Sequence, residues 1–339
     1  MATIHRFNIF ILFLCLVGCR SSTNEYTKEF EEIWQQVPYK VYTDSIAQFP
    51  KNDALYFARG EQLFTHQQLR ASLYDYKQAY ILKPSSIYLQ AIAINFKQLQ
   101  QLDSTIVYLN KGMQQFPNDS SFYFQLIDAY RKNHEDSLAL GMVQLLIKKD
   151  SNNVRYVQQA ATLYVALKDT LKAIQLLEKS YSAYTQINNA TFQLASLYAE
   201  TKNKKALQLS DHILATDSTQ YKALPYYIKG IYFTNTNKPE QAIDMFDKSI
   251  VHDWTFVDAY TDKGVLLFKQ KKYMAAQRVF ELSLTVSNTY PDAYYWIGRC
   301  QEAIGKGLEA AENYRKAIGL DKNFEEARQA LTRVSFHNH

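Results

Sequence analysis

The chain has 339 residues, with 26 tyrosines and 19 phenylalanines but only 10 glycines and 7 prolines. This balance is typical of long helices with aromatic packing and argues against folds rich in tight turns, while the length leaves two globular domains or one extended repeat array open. The formal charge is +5, and the Lys and Arg residues are interspersed with Asp and Glu. Because no basic stripe forms, nucleic acid is not expected as a partner.

Residues 1–18 have the pattern of a signal peptide. An apolar run from Phe7 to Val17, interrupted only by Asn8, is too short to cross a bilayer as a stable helix. The segment ends Leu16-Val17-Gly18-Cys19, which resembles the lipobox of bacterial lipoproteins. The resemblance implies that Cys19 becomes the acylated N-terminal residue and that residues 19–25 form a lipidated tether. An uncleaved anchor, or a chance cysteine in an ordinary secretory signal, is the alternative.

The residues around this segment bear on location and stability. Arg20 stands where an inner-membrane retention signal usually has Asp, so the resemblance favours the periplasmic face of the outer membrane. Cys15 would be removed and Cys19 acylated, which leaves Cys300 as the one further cysteine and excludes an internal disulfide in the mature chain. Stability is therefore expected from the stacking of many units.

Small residues recur along the chain at intervals of 33 to 35 residues. The positions are Gly60, Ala93, Ile127, Ala161, Ala195, Gly230, Gly264 and Gly298, of which only the isoleucine is large. Twelve residues later, or eleven in one case, stand Ser72, Thr105, Ala139, Ala173, Ala206, Ala242, Ala276 and Ala310. Two antiparallel helices approach closely only where the side chains at their crossing are small, so this register predicts a helical hairpin in each unit.

Large side chains accompany the small ones at helical spacing, which indicates amphipathic helices. Four residues before the first small position stand Tyr56, Leu89, Tyr123, Val157, Tyr226, Tyr260 and Tyr294. Four residues after the second stand Tyr76, Leu109, Val143, Leu177, Phe246, Phe280 and Tyr314.

The last unit carries the clearest resemblance to a known family, the tetratricopeptide repeats. It runs from Tyr294 to Gly298, continues with Ala310, Tyr314 and Ala317, and closes with Leu320-Asp321-Lys322-Asn323. The resemblance implies an all-α fold, a right-handed superhelical solenoid of antiparallel helix pairs. Related arrays of helical pairs and an unrelated bundle are the competing interpretations.

Eight such repeats cover residues 53–322, and weaker helical patterns flank them. Residues 26–52 resemble a degenerate first pair interrupted by Pro38. Residues 323–339 are predicted to form a capping helix, through about Val334, and a tail.

In this family, positions 2, 5, 9 and 12 of each first helix line the inner face of the array. The resemblance therefore implies a partner groove formed by Phe57, Phe64, Lys97, Phe124, Asp128, Arg131, Phe192, Tyr227, Phe268, Tyr295 and Arg299. Aromatic rings beside oriented charges suit a peptide-binding groove. The opposing interpretation is that these rings bury one another, and the sequence leaves both open. Some family members bind a peptide tail with a particular set of Lys, Arg and Asn residues on two or three first helices. That set does not occur at these positions, so such a clamp is not expected.

The sequence predicts no enzyme, no cofactor and no metal site. The histidines show no ligand spacing except for His337 and His339 in the C-terminal tail, which suit a solvated terminus. Cys300 has no nearby histidine and is interpreted as a small core residue. Neither a glycine-rich phosphate loop nor a nucleophile elbow occurs.

An Asp followed by Ser or Thr recurs near the predicted turns, at Asp44, Asp103, Asp136, Asp169 and Asp217. Such residues cap helices by accepting free backbone N–H groups. The tripeptides also resemble acceptor sites of some bacterial periplasmic O-glycosylation systems, and both interpretations stay open.

Together these patterns predict a protein-protein interaction scaffold or adaptor, anchored by lipid to the bacterial outer membrane within an envelope assembly, secretion or cell-wall complex. The expected partner is a protein or peptide. The alternatives are a carbohydrate or small-ligand receptor that uses the aromatic inner face, and a non-catalytic accessory subunit of an envelope enzyme.

Overall fold

A computed structural model of the protein describes residues 21–183, 187–216 and 222–336. These residues form nineteen helices and no strand, so the predicted all-α fold built from helix pairs is confirmed. Within them, no helix combines the length and the apolar character needed to span a bilayer.

Several predictions fall on residues that the structure does not describe. They are the signal peptide at residues 1–18, the acylation site Cys19, the tripeptide at Asp217, and the tail histidines His337 and His339.

The described residues divide into two compact units, with the boundary between Leu146 and Ile147. The first unit contains α1 Ser21–Trp34, α2 Tyr39–Gln48, α3 Asp53–Thr65, α4 Leu69–Leu82, α5 Ser86–Gln98, α6 Leu102–Gln115, α7 Ser120–Lys132 and most of α8 Asp136–Lys149. The second contains α9 Val154–Ala166, α10 Thr170–Ala183, α11 Asn189–Glu200, α12 Lys205–Thr216, α13 Ala223–Asn235, α14 Pro239–His252, α15 Val257–Lys269, α16 Tyr273–Val286, α17 Pro291–Ala303, α18 Gly307–Leu320 and α19 Glu325–Phe336. The repeat spacing runs through this boundary without interruption, so the sequence pattern does not mark it.

The turn within each hairpin uses one residue in the left-handed backbone region. These residues are Gln67, Gln100, His134, Lys168, Lys202, Asn237, Lys271 and Gly305, with φ between 58° and 80°. Only the last is a glycine, although a non-glycine residue in this region costs about 1–3 kcal/mol. The tight turn is therefore kept in every repeat at the expense of local strain.

All sixteen predicted small positions are buried, which confirms that they lie at helix crossings. Four of the first-helix positions are glycines, and each faces the ring that stands four residues after the second small position. A Cβ added to the glycine would lie 2.8 Å from the ring in the pair Gly60 and Tyr76, 2.4 Å in Gly230 and Phe246, 2.5 Å in Gly264 and Phe280, and 2.7 Å in Gly298 and Tyr314. Where the first position is alanine, as at Ala93 and Ala161, the second helix supplies Leu109 and Leu177 instead. In these repeats the two helices exchange volume, so that the crossing stays filled.

The N-terminal helices α1 and α2 contact the first repeat through Arg59, which is one member of a buried ion pair within that repeat. Arg59 on α3 donates to both carboxylate oxygens of Asp75 on α4, at 2.7 Å each, and to Oγ1 of Thr43 on α2 at 2.9 Å. Its guanidinium carbon lies 4.2 Å from the ring centroid of Trp34 on α1. Because Arg59 is 3% exposed and Asp75 is fully buried, both charges depend on these protein contacts in place of water.

The capping role predicted for the Asp-Ser/Thr motif is confirmed at one described position, is wrong at two, and stays a prediction at Asp136, the first residue of α8. Asp169 accepts a hydrogen bond from the backbone N–H of Lys172 at 3.2 Å at the start of α10. Asp44 lies in the middle of α2, and Asp103 is the second residue of α6, whose preceding residue makes no side-chain cap. Caps with side-chain hydrogen bonds instead begin the first helices, at Asn52, Asp119, Asn153 and Asn188.

Candidate functional site

The first helices of the first two repeats, α3 and α5, form an apolar cleft of about 250 Å³ in the first unit. We call it the α3–α5 cleft, and its lining is Phe57, Glu61, Phe64, Tyr76, Ile87, Gln90, Ala91 and Ile94. Ile87 is 58% exposed and Ile94 is 40% exposed, whereas the two phenylalanines are half-buried. Two large aliphatic side chains therefore face solvent beside a partly covered aromatic wall.

The aromatic wall is held in place by ring packing and by phenol hydrogen bonds. The ring centroid of Phe57 lies 5.6 Å from that of Tyr76 and 5.0 Å from that of Tyr88. The hydroxyl of Tyr88 donates to Asp53 at 2.6 Å, and that of Tyr76 donates to Glu61 at 2.5 Å. Burial and the neighbouring Asp53 carboxylate raise the pKa of Tyr88 to about 12, so this phenol stays neutral and keeps its donor proton.

A charged group continues the cleft by one helical turn. Lys97 lies three residues after Ile94 on α5, and its Nζ donates to Oδ2 of Asp128 on α7 at 2.7 Å. Lys132 lies 3.4 Å from the same carboxylate. The hydrogen bond from Lys97 holds the pKa of Asp128 below its usual range, so the carboxylate is ionised at neutral pH.

In the second unit, three predicted groove residues come together: Phe268, Tyr295 and Arg299. The guanidinium carbon of Arg299 lies 5.4 Å from the ring centroid of Phe268, 5.7 Å from that of Tyr295 and 5.8 Å from that of Trp296. Its Nη1 donates to the hydroxyl of Tyr295 at 2.8 Å. The side chain is 32% exposed, so this charge is oriented by its aromatic neighbours but still reaches solvent.

The remaining predicted groove residues do not join these groups. Phe192 is half-buried and packs on the core around α9 to α13. The ring of Tyr227 lies 5.6 Å from that of Phe246 and 4.9 Å from that of Phe256, and its hydroxyl donates to Asp262 at 2.8 Å. Phe124 and Arg131 on α7 are exposed to solvent. The structure thus places the eleven predicted side chains in separate groups, and their role as one partner groove stays a prediction.

The sequence is similar to parts of longer proteins. It is 28% identical over 114 residues to RNA polymerase II-associated protein 3 of Homo sapiens, a match that covers 34% of this chain and 17% of that protein. It is 23% identical over 216 residues to Hsp70-Hsp90 organizing protein 1 of Glycine max, which covers 61% of this chain and 36% of that protein. The matches therefore span much less than two thirds of these relatives.

Residues 291–324 match the family described as Tetratricopeptide repeat. A tetratricopeptide repeat protein from Parabacteroides merdae superposes with a TM-score of 0.57 at 18% identity, covering 74% of this chain and 98% of that one. The chain has the tetratricopeptide-repeat fold. PilW, a type IV pilus biogenesis factor, superposes with a TM-score of 0.52 at 17% identity, covering 62% of this chain and 98% of that one, and adds likeness of fold alone.

Sequence reasoning missed four side chains of this tetratricopeptide-repeat surface: Glu61, Ile87, Gln90 and Ile94. They occupy positions 9, 2, 5 and 9 of their first helices, the same positions that selected the predicted groove. The repeat register marks these four positions as part of the inner face, but the predicted groove included only aromatic and charged residues at such positions. An aliphatic side chain at such a position indicates a binding surface as well as an aromatic one does when the helix presents that face to solvent.

No group of three or more potential metal ligands lies close together in the part of the chain that the structure describes. Cys300 is fully buried, and burial raises the pKa of its thiol to about 12. A thiol in that environment is a poor nucleophile at neutral pH.

Proposed function

We propose that this tetratricopeptide-repeat protein is a non-catalytic scaffold that binds a protein segment in its α3–α5 cleft. The observation that carries the proposal is the exposure of Ile87 and Ile94 between an ordered aromatic wall and the ion pair of Lys97 and Asp128. Apolar area supplies affinity in such sites, and oriented charges fix the direction of the bound segment.

The cleft suits a segment with two neighbouring apolar side chains and a charged or polar group one helical turn away. Complete burial of an exposed isoleucine stabilises a complex by about 1.5–3 kcal/mol, so covering the exposed parts of Ile87 and Ile94 contributes part of that amount for each. An interaction of this size is reversible, which fits an adaptor better than a permanent subunit. The name of the relative from Glycine max, Hsp70-Hsp90 organizing protein 1, supports an adaptor role.

The proposed site of action is the periplasmic face of a bacterial outer membrane, within a complex for envelope assembly, secretion or cell-wall work. Support comes from the sequence Leu16-Val17-Gly18-Cys19 and from Arg20 after it. Several acyl chains on one cysteine give lasting membrane attachment, because each buried CH₂ contributes about 0.8 kcal/mol. Replacing Cys19 with alanine is expected to abolish acylation, measured by intact mass, and to release the protein from the membrane fraction. A wild-type protein whose mass includes no acyl groups would exclude acylation at this residue.

The binding proposal is tested by placing a photo-crosslinking amino acid at position 87 in cells. The control carries it at Val107, which is 63% exposed on the second helix α6 of the same unit. We expect a partner segment to crosslink at position 87 and not at 107. A synthetic peptide of that segment should then bind the purified protein, and Ile94→Asp should weaken the binding without changing the melting temperature. Equal crosslinking at both positions, or unchanged peptide affinity in Ile94→Asp, would refute the cleft as the binding site.

A further inference from the structure

A second cleft, of about 400 Å³, opens between α10, α11 and α12 in the second unit. We call it the α10–α12 cleft. Its lining is Glu178, Tyr181, Leu194, Tyr198, Lys205, Gln208, Leu209 and His212. Its volume lies in the range of about 300–1,000 Å³ that is usual for small-molecule sites. Unlike the α3–α5 cleft, it is bordered by two second helices, and its lining includes an ammonium group and an imidazole.

This cleft lies where the repeat is irregular. Ala206 follows Ala195 by eleven residues, one fewer than in the other repeats, and the missing residue falls after the turn residue Lys202. The position that holds Tyr, Phe, Leu or Val in the other repeats is Ser210 here. Its side chain is fully buried, and its hydroxyl has no hydrogen-bond partner among the described residues. A shortened turn and a lost large side chain thus coincide with the open space.

The equivalent positions in the first unit are filled by mutual contacts. Lys77 corresponds to Glu178 in register, and its Nζ lies 5.1 Å from the ring centroid of Phe96. Tyr80 corresponds to Tyr181, and its ring has the Nζ of Lys111 at 4.4 Å. The α10–α12 cleft also contains a cation–π contact, since the Nζ of Lys205 lies 5.5 Å from the ring centroid of Tyr198. What distinguishes this repeat is the carboxylate of Glu178, which stands where the first unit has the ammonium group of Lys77.

At the side of the cleft, a carboxylate and an ammonium group lie next to each other. The Nζ of Lys205 donates to Oε1 of Glu178 at 2.8 Å, and the hydroxyl of Tyr198 donates to the same oxygen at 2.5 Å. These hydrogen bonds, first the one from Lys205, hold the pKa of Glu178 below its usual range. The pair has no net charge, and both groups keep unused capacity: the other carboxylate oxygen can accept, and the ammonium group can donate twice more.

The cleft also offers ring surface. The half-buried ring of Tyr181, one helical turn after Glu178 on α10, meets the exposed ring of His212 edge-on, with centroids 6.5 Å apart. Leu194 and Leu209 are buried apolar members of the lining. A ligand that contacts both the ion pair and the rings must present carbon-bound hydrogens on one face and neutral hydrogen-bonding groups at its edge.

We propose that the α10–α12 cleft binds an uncharged sugar ring. Adjacent ring hydroxyls are separated by about the same distance as the paired carboxylate and ammonium groups, so one hydroxyl donates to Glu178 while its neighbour accepts from Lys205. The C–H face of the ring packs on Tyr181, and Gln208 and His212 serve further hydroxyls. The ion pair is exposed and has no net charge, so it offers hydrogen bonds without a net electrostatic attraction for a charged ligand. The site is independent of the proposed scaffold function, because it lies in the other unit and uses other residues.

The test is a titration of the full-length protein in detergent with glucose, galactose, N-acetylglucosamine and maltose, followed by ligand-observed NMR and calorimetry. Sorbitol, which carries the same hydroxyls on an open chain, is the ligand control. We expect at least one ring sugar to bind with a millimolar or tighter dissociation constant and sorbitol not to bind. Glu178→Gln should weaken the binding by about tenfold or more, since it removes a hydrogen bond to a charged group. Tyr181→Ala should also weaken the binding, since it removes the ring on which the sugar packs.

The matched protein control is Tyr80→Ala, which removes the equivalent ring in the first unit and should leave sugar binding unchanged. Circular dichroism and thermal melting of each variant separate loss of the site from loss of folding. If Tyr181→Ala fails to fold, the isosteric Glu178→Gln variant decides the question alone. Absence of binding by all four sugars, equal binding of sorbitol, or full binding in Glu178→Gln would overturn the proposal.

Discussion

Gly264 on α15 lies so close to the ring of Phe280 on α16 that a single methyl group has no room. A Cβ placed there would be 2.5 Å from two ring carbons, and Phe280 is fully buried, so the ring cannot swing into solvent. Alanine in a helix interior is favoured over glycine by about 1 kcal/mol, whereas overpacking a core costs about 1–3 kcal/mol. We expect Gly264→Ala to lower the free energy of unfolding by about 1 kcal/mol, measured by urea denaturation with circular dichroism.

The contact itself is isolated by a double-mutant cycle with Phe280→Leu. That single change leaves a gap and should cost about 1–3 kcal/mol on its own. Together the two changes recreate the alanine and leucine combination of the repeat that contains Ala93 and Leu109, so the double variant should be more stable than the sum of the singles by about 1 kcal/mol or more. Gly319→Ala in the same unit is the control, because nothing lies within 4 Å of an added Cβ, and it should not destabilise. Additive changes in the free energy of unfolding would refute the volume exchange. So would a loss of stability in Gly319→Ala equal to that in Gly264→Ala.

Three further predictions concern other parts of the fold. Asp75→Asn leaves Arg59 buried without a counter-charge and should lower the free energy of unfolding by about 3–5 kcal/mol, whereas a loss under 1 kcal/mol in denaturation would show that the pair is solvated. Lys271→Gly removes the backbone strain of a side chain at φ 62° in a turn and should raise the melting temperature. A lower melting temperature in this variant would contradict such strain. Cys300 should resist alkylation by iodoacetamide in the folded protein and react in urea, as read by mass spectrometry, and rapid labelling of the folded form would contradict its burial.

Most of the fold could be predicted from the sequence because one physical requirement recurs in every repeat. Close approach of two helices needs small residues, and glycine or alanine at Gly60 or Ala93 is visible without a structure. The pairing of each glycine with a ring could also have been read from the two aligned series. The boundary after Leu146 could not, because it depends on contacts between repeats and leaves no change in spacing.

The site was predictable only in part, because register fixes a helix face but not what covers it. Phe57 and Phe64 line a cleft as their positions suggest, whereas Tyr227, at the same register position as Phe57, is not part of the lining of either described cleft. The neighbouring repeat differs: the ring of Phe256 lies 4.9 Å from that of Tyr227, and the residue at the equivalent position beside Phe57 is Ser85. Such coverage depends on side-chain volumes from three helices at once and exceeds what the pattern of one helix indicates.

The two clefts arise in opposite ways, and this difference governs what each can bind. The α3–α5 cleft uses the same face of two successive first helices, so it follows the regular register and continues toward α7 through Lys97 and Asp128. A surface of that kind favours an elongated ligand, since the next repeat presents the next set of contacts. The α10–α12 cleft lies in the repeat that has one residue fewer after its turn, and it is bordered by two second helices, α10 and α12, and by one first helix, α11. Because only one first helix lines it, the regular register does not extend it from repeat to repeat, and this favours a compact ligand.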